Sequence, residues 1–238
     1  MLIFYYDMKI MQAVIFAAGD GSRMRPLTLT KPKVLLSVGK KTLMEHLVSD
    51  LPSQIDELII VIGHLGEQIQ KYCGEVFMGK KITYVWQKEK TGTARALQLC
   101  QKILNPGNFM VLAAADDILG SKALHDALKY DRCIITAHSD YPEKFGVLTI
   151  YEDGRVKDFV EKPQRFVSNL VNTNSMVLDH HVFEYEPDRH ANGEFYLTTM
   201  VSKLAKDYPV YTVPADLWIP IATPEDLQKA KEMLSLSS

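Results

Sequence analysis

The sequence predicts an α/β fold, a mainly parallel sheet with helices on both faces. Three observations carry this. Apolar runs that read as strands alternate with helical segments through the first half of the chain. After Tyr141 that rhythm gives way to short strands joined by a turn at Asp153-Gly154, a hairpin signal that makes the sheet mixed. Finally, 238 residues at 47% hydrophobic and 24% charged form an ordinary globular composition with ample length for a core.

The elements follow in order. Residues 11–16, Met-Gln-Ala-Val-Ile-Phe, are an apolar run that reads as a buried strand. Thr42-Leu43-Met44-Glu45 is a capping box opening a helix toward residue 50. A strand over 57–62, a helix over 66–73 and a strand over 82–87 come next, and Thr91 is placed to cap a helix running through Leu104. Residues 109–114 form a strand ending at Asp116-Asp117, then a helix over 123–130 and a strand over 133–138. Strands at 146–151, 155–161 and 172–178 precede a helix over 194–207 and a strand over 210–213. Thr223-Pro224-Glu225-Asp226 starts a last helix, with a cap, Pro at the first position and early acids. No Gly/Ser linker or repeat divides the chain, so one domain is expected over 11–238. Residues 1–10 read as an N-terminal extension, too short and too acidic at Asp7 for a signal peptide.

A net charge of −2 leaves no global basic field for nucleic acid or a membrane surface, and no apolar stretch approaches the length of a membrane span. Cys73, Cys100 and Cys133 are odd in number and widely spaced, which argues against disulfides and zinc knuckles and fits reduced thiols in a cytoplasmic protein.

The positive charge that matters is local. Ala17-Ala18-Gly19-Asp20-Gly21-Ser22-Arg23 follows the first strand, with Arg25, Lys31 and Lys33 close behind. Small residues let backbone N–H groups approach a polyphosphate, and the cations meet its charge. Neither common phosphate loop fits. Gly19 does not open a Walker-type sequence, and position 24 is Met where a dinucleotide loop needs its third glycine. Taken alone, Gly19-Asp20-Gly21 is also an ordinary turn.

With Pro26-Leu27-Thr28 and Pro32-Lys33-Val34-Leu35 added, the stretch resembles the signature of the sugar-1-phosphate nucleotidylyltransferases, which make nucleotide sugars. That signature runs Ala-Ala-Gly-x-Gly-Ser/Thr-Arg, then Pro-Leu-Thr and Pro-Lys-x-Leu. The resemblance spans 11 to about 231. It implies a single Rossmann-like three-layer α/β/α domain of the nucleotide-diphospho-sugar transferase type. Within it, a nucleotide-binding half covers about 11–140 and a sugar-binding half about 141–238. It implies no counterpart, in these residues, of the β-helix domain some members carry, and it leaves a homo-oligomer open.

The implied reaction transfers NMP from UTP or dTTP to a sugar 1-phosphate and releases pyrophosphate. Two anions must meet, so the chemistry asks for cations, Mg²⁺ and in-line positioning rather than a triad. The resemblance assigns Arg23 to the triphosphate and Lys33 to the reacting phosphates, with Ala17, Ala18, Gly19, Gly21 and Ser22 as the nucleotide loop. Gln87, with Thr91-Gly92-Thr93-Ala94, resembles the segment that reads the base. A side-chain amide offers both donor and acceptor for a uracil or thymine edge. Asp116 is the implied Mg²⁺ ligand, at the strand end where α/β folds bind ligands. The family shows Gly-Asp there and this chain has Ala115-Asp116-Asp117, with Asp117 expected to cap the next turn. Phe145-Gly146-Val147, Glu161-Lys162-Pro163 and Asn172-Thr173 resemble the sugar-side motifs, giving Gly146, Glu161, Lys162 and Asn172 as substrate contacts. Asn174 replaces a glycine, a position Asn tolerates in left-handed backbone.

The largest departure is Trp218-Ile219-Pro220-Ile221-Ala222-Thr223. Pro220 falls where the family carries its second metal-binding Asp, and Asp216 lies about 13 Å away along an extended chain. Two alternatives therefore stand beside the enzyme: a weak or inactive relative that binds nucleotide as a regulatory subunit, and a phosphocholine cytidylyltransferase. The latter needs an aromatic box, for which Tyr84, Trp86, Tyr151 and Trp218 are available.

Overall fold

Ala13, Val14 and Ile15 are wholly buried, because Met11–Ala17 (β1) lies at the centre of the sheet. The computed structural model describes residues 11–235; the expected extension over 1–10 lies outside them. Leu43–Asp50 (α1), Ile55–Ile62 (β2), Gly66–Cys73 (α2), Lys80–Trp86 (β3), Thr93–Cys100 (α3) and Phe109–Leu112 (β4) follow. Then come Ser121–Ala127 (α4), Cys133–His138 (β5), Gly146–Ile150 (β6), Val156–Glu161 (β7) and Leu170–Leu178 (β8). Leu197–Asp207 (α5), Tyr211–Pro214 (β9) and Pro224–Ser235 (α6) complete the described chain.

The sheet runs β7-β6-β8-β4-β1-β2-β3, with short Val76–Phe77 at the β3 edge and β5 and β9 branching from β8. β4, β1, β2 and β3 are parallel, with Val14 opposite both Ile59 and Val111, while β8 returns antiparallel to β4. This is the mixed, mainly parallel sheet of an α/β/α fold. α1, α2 and α4 cover one face through Leu47, Ile69 and Leu124 against Ile15, Ile60 and Leu112. α3 and α5 cover the other, with Leu97, Met200 and Leu204 against Val14, Val61 and Val111. Each such side chain contributes about 1.5–3 kcal/mol of burial, so both layers are firmly attached. A third cluster joins Met24 and Leu36 of the post-β1 segment to Ile219, Ile221 and Leu227, which pins the C-terminal segment beside the Gly-rich loop.

Local signals set several ends. Thr42 Oγ1 accepts the Glu45 N–H at 3.2 Å and Glu45 accepts the Thr42 N–H at 2.6 Å, the full capping box at α1. Thr223 Oγ1 likewise accepts the Asp226 N–H at 3.3 Å at α6. Other ends differ from the sequence reading. α3 is capped by Gly92, not Thr91, and its α-helical span stops at Cys100 before Leu104. α5 begins at Leu197 rather than 194, because Phe195 is drawn out to pair with Thr91 and Ala94. His180 and His181 are half-buried, His180 edge-on to Phe109 and His181 bonded to Asp179.

Candidate active site

The carboxyl ends of β1, β3 and β4 open onto one cavity of about 310 Å³. Its lining includes Ala17, Ala18, Gly19, Gly21, Arg23, Lys33, Gln87, Gly92, Thr93 and Asp116. Ten of the residues expected from sequence thus converge from segments up to a hundred residues apart.

The loop after β1 turns because Gly21 takes a left-handed φ of 58°. Its carbonyl accepts the Thr28 hydroxyl at 2.8 Å, which folds the loop back on itself. Arg23 lies exposed at the cavity, and its side chain has no hydrogen bond or ion pair among the described residues. Ser22 is exposed outside the lining, its N–H donated to Asp20 Oδ1 at 3.3 Å.

Lys33 is the most constrained cation. Its ammonium donates both to Asp116 Oδ2 and to the Ile221 carbonyl, so it links the end of β4 to the C-terminal segment. Asp117 does not cap the next turn. One of its oxygens accepts the Trp218 indole N–H at 3.0 Å and the other the Ile221 N–H at 3.2 Å. Burial first, and the neighbouring Asp116 second, hold its carboxyl well above the ordinary range. Asp216 is committed too: its carboxylate accepts the Ala123 N–H at 2.9 Å at the start of α4.

Gln87 donates to the Gly92 carbonyl at 3.2 Å. Gly92 has φ 97°, and a Cβ there would stand 2.7 Å from Phe195 N and closer still to its oxygen. The Thr93 hydroxyl accepts the Leu197 N–H at 2.9 Å, so it caps α5. Both residues therefore have structural duties besides lining the cavity.

Gly146, Glu161, Lys162 and Asn172 lie outside the cavity lining. Two of them adjoin it through α5: the Lys162 ammonium donates to the Tyr196 hydroxyl at 3.2 Å, and Glu161 accepts the Thr198 hydroxyl at 2.6 Å. Gly146 leaves room for the Phe159 ring, which a Cβ would meet at 2.7 Å. Asn172 is buried, and its side chain braces Asn174, accepting the Asn174 N–H at 2.8 Å. Asn174 has φ 60°, as expected of an Asn standing for glycine, and its carbonyl accepts the Ala113 N–H at the cavity wall.

Asp20, Lys90, Glu194 and Tyr196 also line the cavity and were not singled out from sequence. No local signal marked Tyr196, which the sequence reading placed inside the helix over 194–207 and the structure sets just ahead of it. The four aromatics considered for an ammonium box each have another partner. Trp218 packs on Phe145 at 5.1 Å, Tyr84 bonds the Gly74 carbonyl, Tyr151 lies under Arg155, and Trp86 stands against Gly66.

A family model described as nucleotidyl transferase matches residues 12–235. This chain belongs to that family. Among relatives of this nucleotidyl transferase, the bifunctional protein GlmU of Methanococcus vannielii is 28% identical over 229 residues, which cover 92% of this chain and 54% of the relative. The chain thus spans about half the length of that relative. A probable mannose-1-phosphate guanylyltransferase 2 of Arabidopsis thaliana is 32% identical, covering 91% and 63%. The UTP–glucose-1-phosphate uridylyltransferase AglF of Haloferax volcanii is 29% identical, covering 94% and 96%. A putative glucose-1-phosphate thymidylyltransferase from Bacillus anthracis, solved with a sucrose, superposes with a TM-score of 0.83 at 26% identity, covering 94% of each chain. A UDP-glucose pyrophosphorylase complexed with UDP-glucose gives 0.84 at 22% identity, covering 96% and 100%, a likeness of fold. Among the described residues no helix is long and apolar enough to cross a membrane.

Proposed function

We propose that this nucleotidyl transferase couples UTP or dTTP to a sugar 1-phosphate, forming a nucleotide sugar and pyrophosphate. The observation that carries the reading is the convergence, in one cavity, of the Gly-rich loop, Arg23, Lys33, Gln87 and Asp116. The sugar-phosphate oxygen attacks the α-phosphorus, and the bond from that phosphorus to the bridging oxygen of the β-phosphate breaks. The loop N–H groups and Arg23 hold the triphosphate, and Arg23 is unpaired among the described residues and ready to do so. Lys33, poised between Asp116 and the Ile221 carbonyl, shifts its ammonium toward charge developing on the phosphoryl oxygens. Lys162, fixed by Tyr196, receives the sugar phosphate. The Gln87 amide, oriented by Gly92, selects the base.

The donor set fits Mg²⁺ in a restricted way. Asp116 is a hard oxygen ligand at the cavity, whereas Asp117 and Asp216 are spent on backbone and indole N–H groups and Pro220 supplies no side-chain donor. Among the described residues no group of three His, Cys, Asp or Glu side chains is placed to hold a metal. Mg²⁺ accepts one protein carboxylate when substrate phosphates and water fill its remaining positions. Bound so, it would neutralise phosphate charge during transfer.

The same single carboxylate favours a second reading, a relative that binds nucleotide without efficient turnover. One experiment separates them: pyrophosphate release across UTP, dTTP, CTP, GTP and ATP with sugar 1-phosphates and phosphocholine, with and without Mg²⁺. Release requiring UTP or dTTP and a sugar 1-phosphate supports the transferase. Asp116→Asn should then lower kcat by about 10²–10³-fold with unfolding unchanged. No release with any pair, while nucleotide still raises Tm, would replace it with the binding reading.

A further inference from the structure

Asp20 sits between Gly19 and Gly21 on the cavity wall, an acid inside a loop otherwise suited to anions. Its carboxylate is held as a bound anion would be. Oδ1 accepts the Ser22 N–H at 3.3 Å, and Oδ2 accepts the Lys90 ammonium and lies 3.8 Å from the Arg25 guanidinium. The two cations come from different segments: Lys90, from the segment after β3, lines the cavity, and Arg25, from the loop after β1, stands just outside the lining. Each is otherwise largely exposed, while Asp20 is not. The Lys90 hydrogen bond, chief among several contacts, holds the Asp20 carboxyl below its ordinary value, so it is charged at neutral pH.

We infer that Arg25 and Lys90 are polyphosphate ligands, and that Asp20 is a built-in anion which holds them across the cavity mouth and is displaced when polyphosphate enters. This rests on reading the cavity as a polyphosphate site. The incoming chain of phosphates carries several charges against one on Asp20, so it takes over the Ser22 N–H and both cations. The displaced carboxylate turns outward on a loop flanked by glycines. The Asp20 side chain is already 24% exposed, so its carboxylate has a path toward solvent. Asp20 thereby lowers affinity for every polyphosphate, pyrophosphate product included, and speeds its release.

The test is calorimetric titration of the full chain with inorganic tripolyphosphate in Mg²⁺-free buffer, a probe with neither base nor sugar. Releasing a half-exposed ion pair is worth up to about fivefold and removing like-charge repulsion adds to it. Asp20→Asn and Asp20→Ser should each tighten binding about 5- to 20-fold. Lys90→Gln should weaken it, and weaken it more in the Asp20→Asn background, where no internal anion offsets the charge. Having two neutral replacements guards against one failing to fold. The inference is overturned if both bind tripolyphosphate no more tightly than the wild type, or if none of the proteins binds it. It is likewise overturned if Lys90→Gln changes nothing in the Asp20→Asn background. If tightening appears while no nucleotide and sugar-phosphate pair releases pyrophosphate, the latch stands and the transferase reading falls. Turnover with unchanged tripolyphosphate affinity gives the reverse.

Discussion

Gly92→Ala tests whether this glycine serves the fold as well as the ligand. At φ 97° and ψ 177° the backbone lies in a region that only glycine enters cheaply, and a side chain there costs about 1–3 kcal/mol. The new Cβ would also meet Phe195 N at 2.7 Å, with Phe195 C and O crowded as well. That backbone cannot retreat without losing two hydrogen bonds of 2.9 Å, Ala94 N–H to Phe195 O and Phe195 N–H to Thr91 O. At about 1 kcal/mol each, these bring the expected loss to about 3–5 kcal/mol. Urea unfolding measures it. Gly154→Ala is the control, because Gly154 has φ 81° but, among the described residues, nothing within 4 Å of its Cβ, so it reports backbone strain alone. A Gly92→Ala loss no larger than the Gly154→Ala loss would refute the steric argument and leave Gly92 only its place in the cavity lining.

Three further expectations follow. Burial holds the Asp50 carboxyl, at the end of α1, above its ordinary value of 3.8. Its folded pKa exceeds its unfolded one, so its contribution favours the folded state at low pH and is lost as pH rises through the raised value. The Tm of Asp50→Asn minus that of the wild type should therefore grow as pH rises above the ordinary value of 3.8, and a flat difference would exclude the effect. Lys162→Ala should raise KM for sugar 1-phosphate about 10-fold or more with little change in KM for nucleotide, since charge-assisted contacts to phosphate contribute about 1.5–3 kcal/mol. Equal effects on both substrates in steady-state kinetics would remove it from the sugar side. Pro220→Asp should increase Mg²⁺-dependent pyrophosphate release if a second carboxylate is limiting. Unchanged release with intact folding would mean that one carboxylate suffices.

Where a signal is local, the sequence carries it. The capping box at Thr42 and Glu45, the cap at Thr223 and the left-handed Asn174 each depend on residues a few positions apart. The Gly-rich loop was legible for the same reason. The misread features all have distant partners. Asp117 looks like a turn cap until Trp218 and Ile221 arrive, 101 and 104 residues later. The start of α3 follows from Phe195, and nothing near Thr91 announces it. Lys90 reads as one more surface lysine, and only the fold brings it to Asp20.

The contact between Thr93 and Leu197 has a practical consequence for protein engineering. Residues 87–94 look like a portable specificity cassette, to be exchanged when a different base is wanted. They are not portable by themselves. Gly92 leaves space for Phe195, Phe195 closes on Thr91 and Ala94, and the Thr93 hydroxyl starts α5. A chimera that imports a foreign 87–94 must import its own 194–197 too, or the graft will arrive with half of its hinge pins missing.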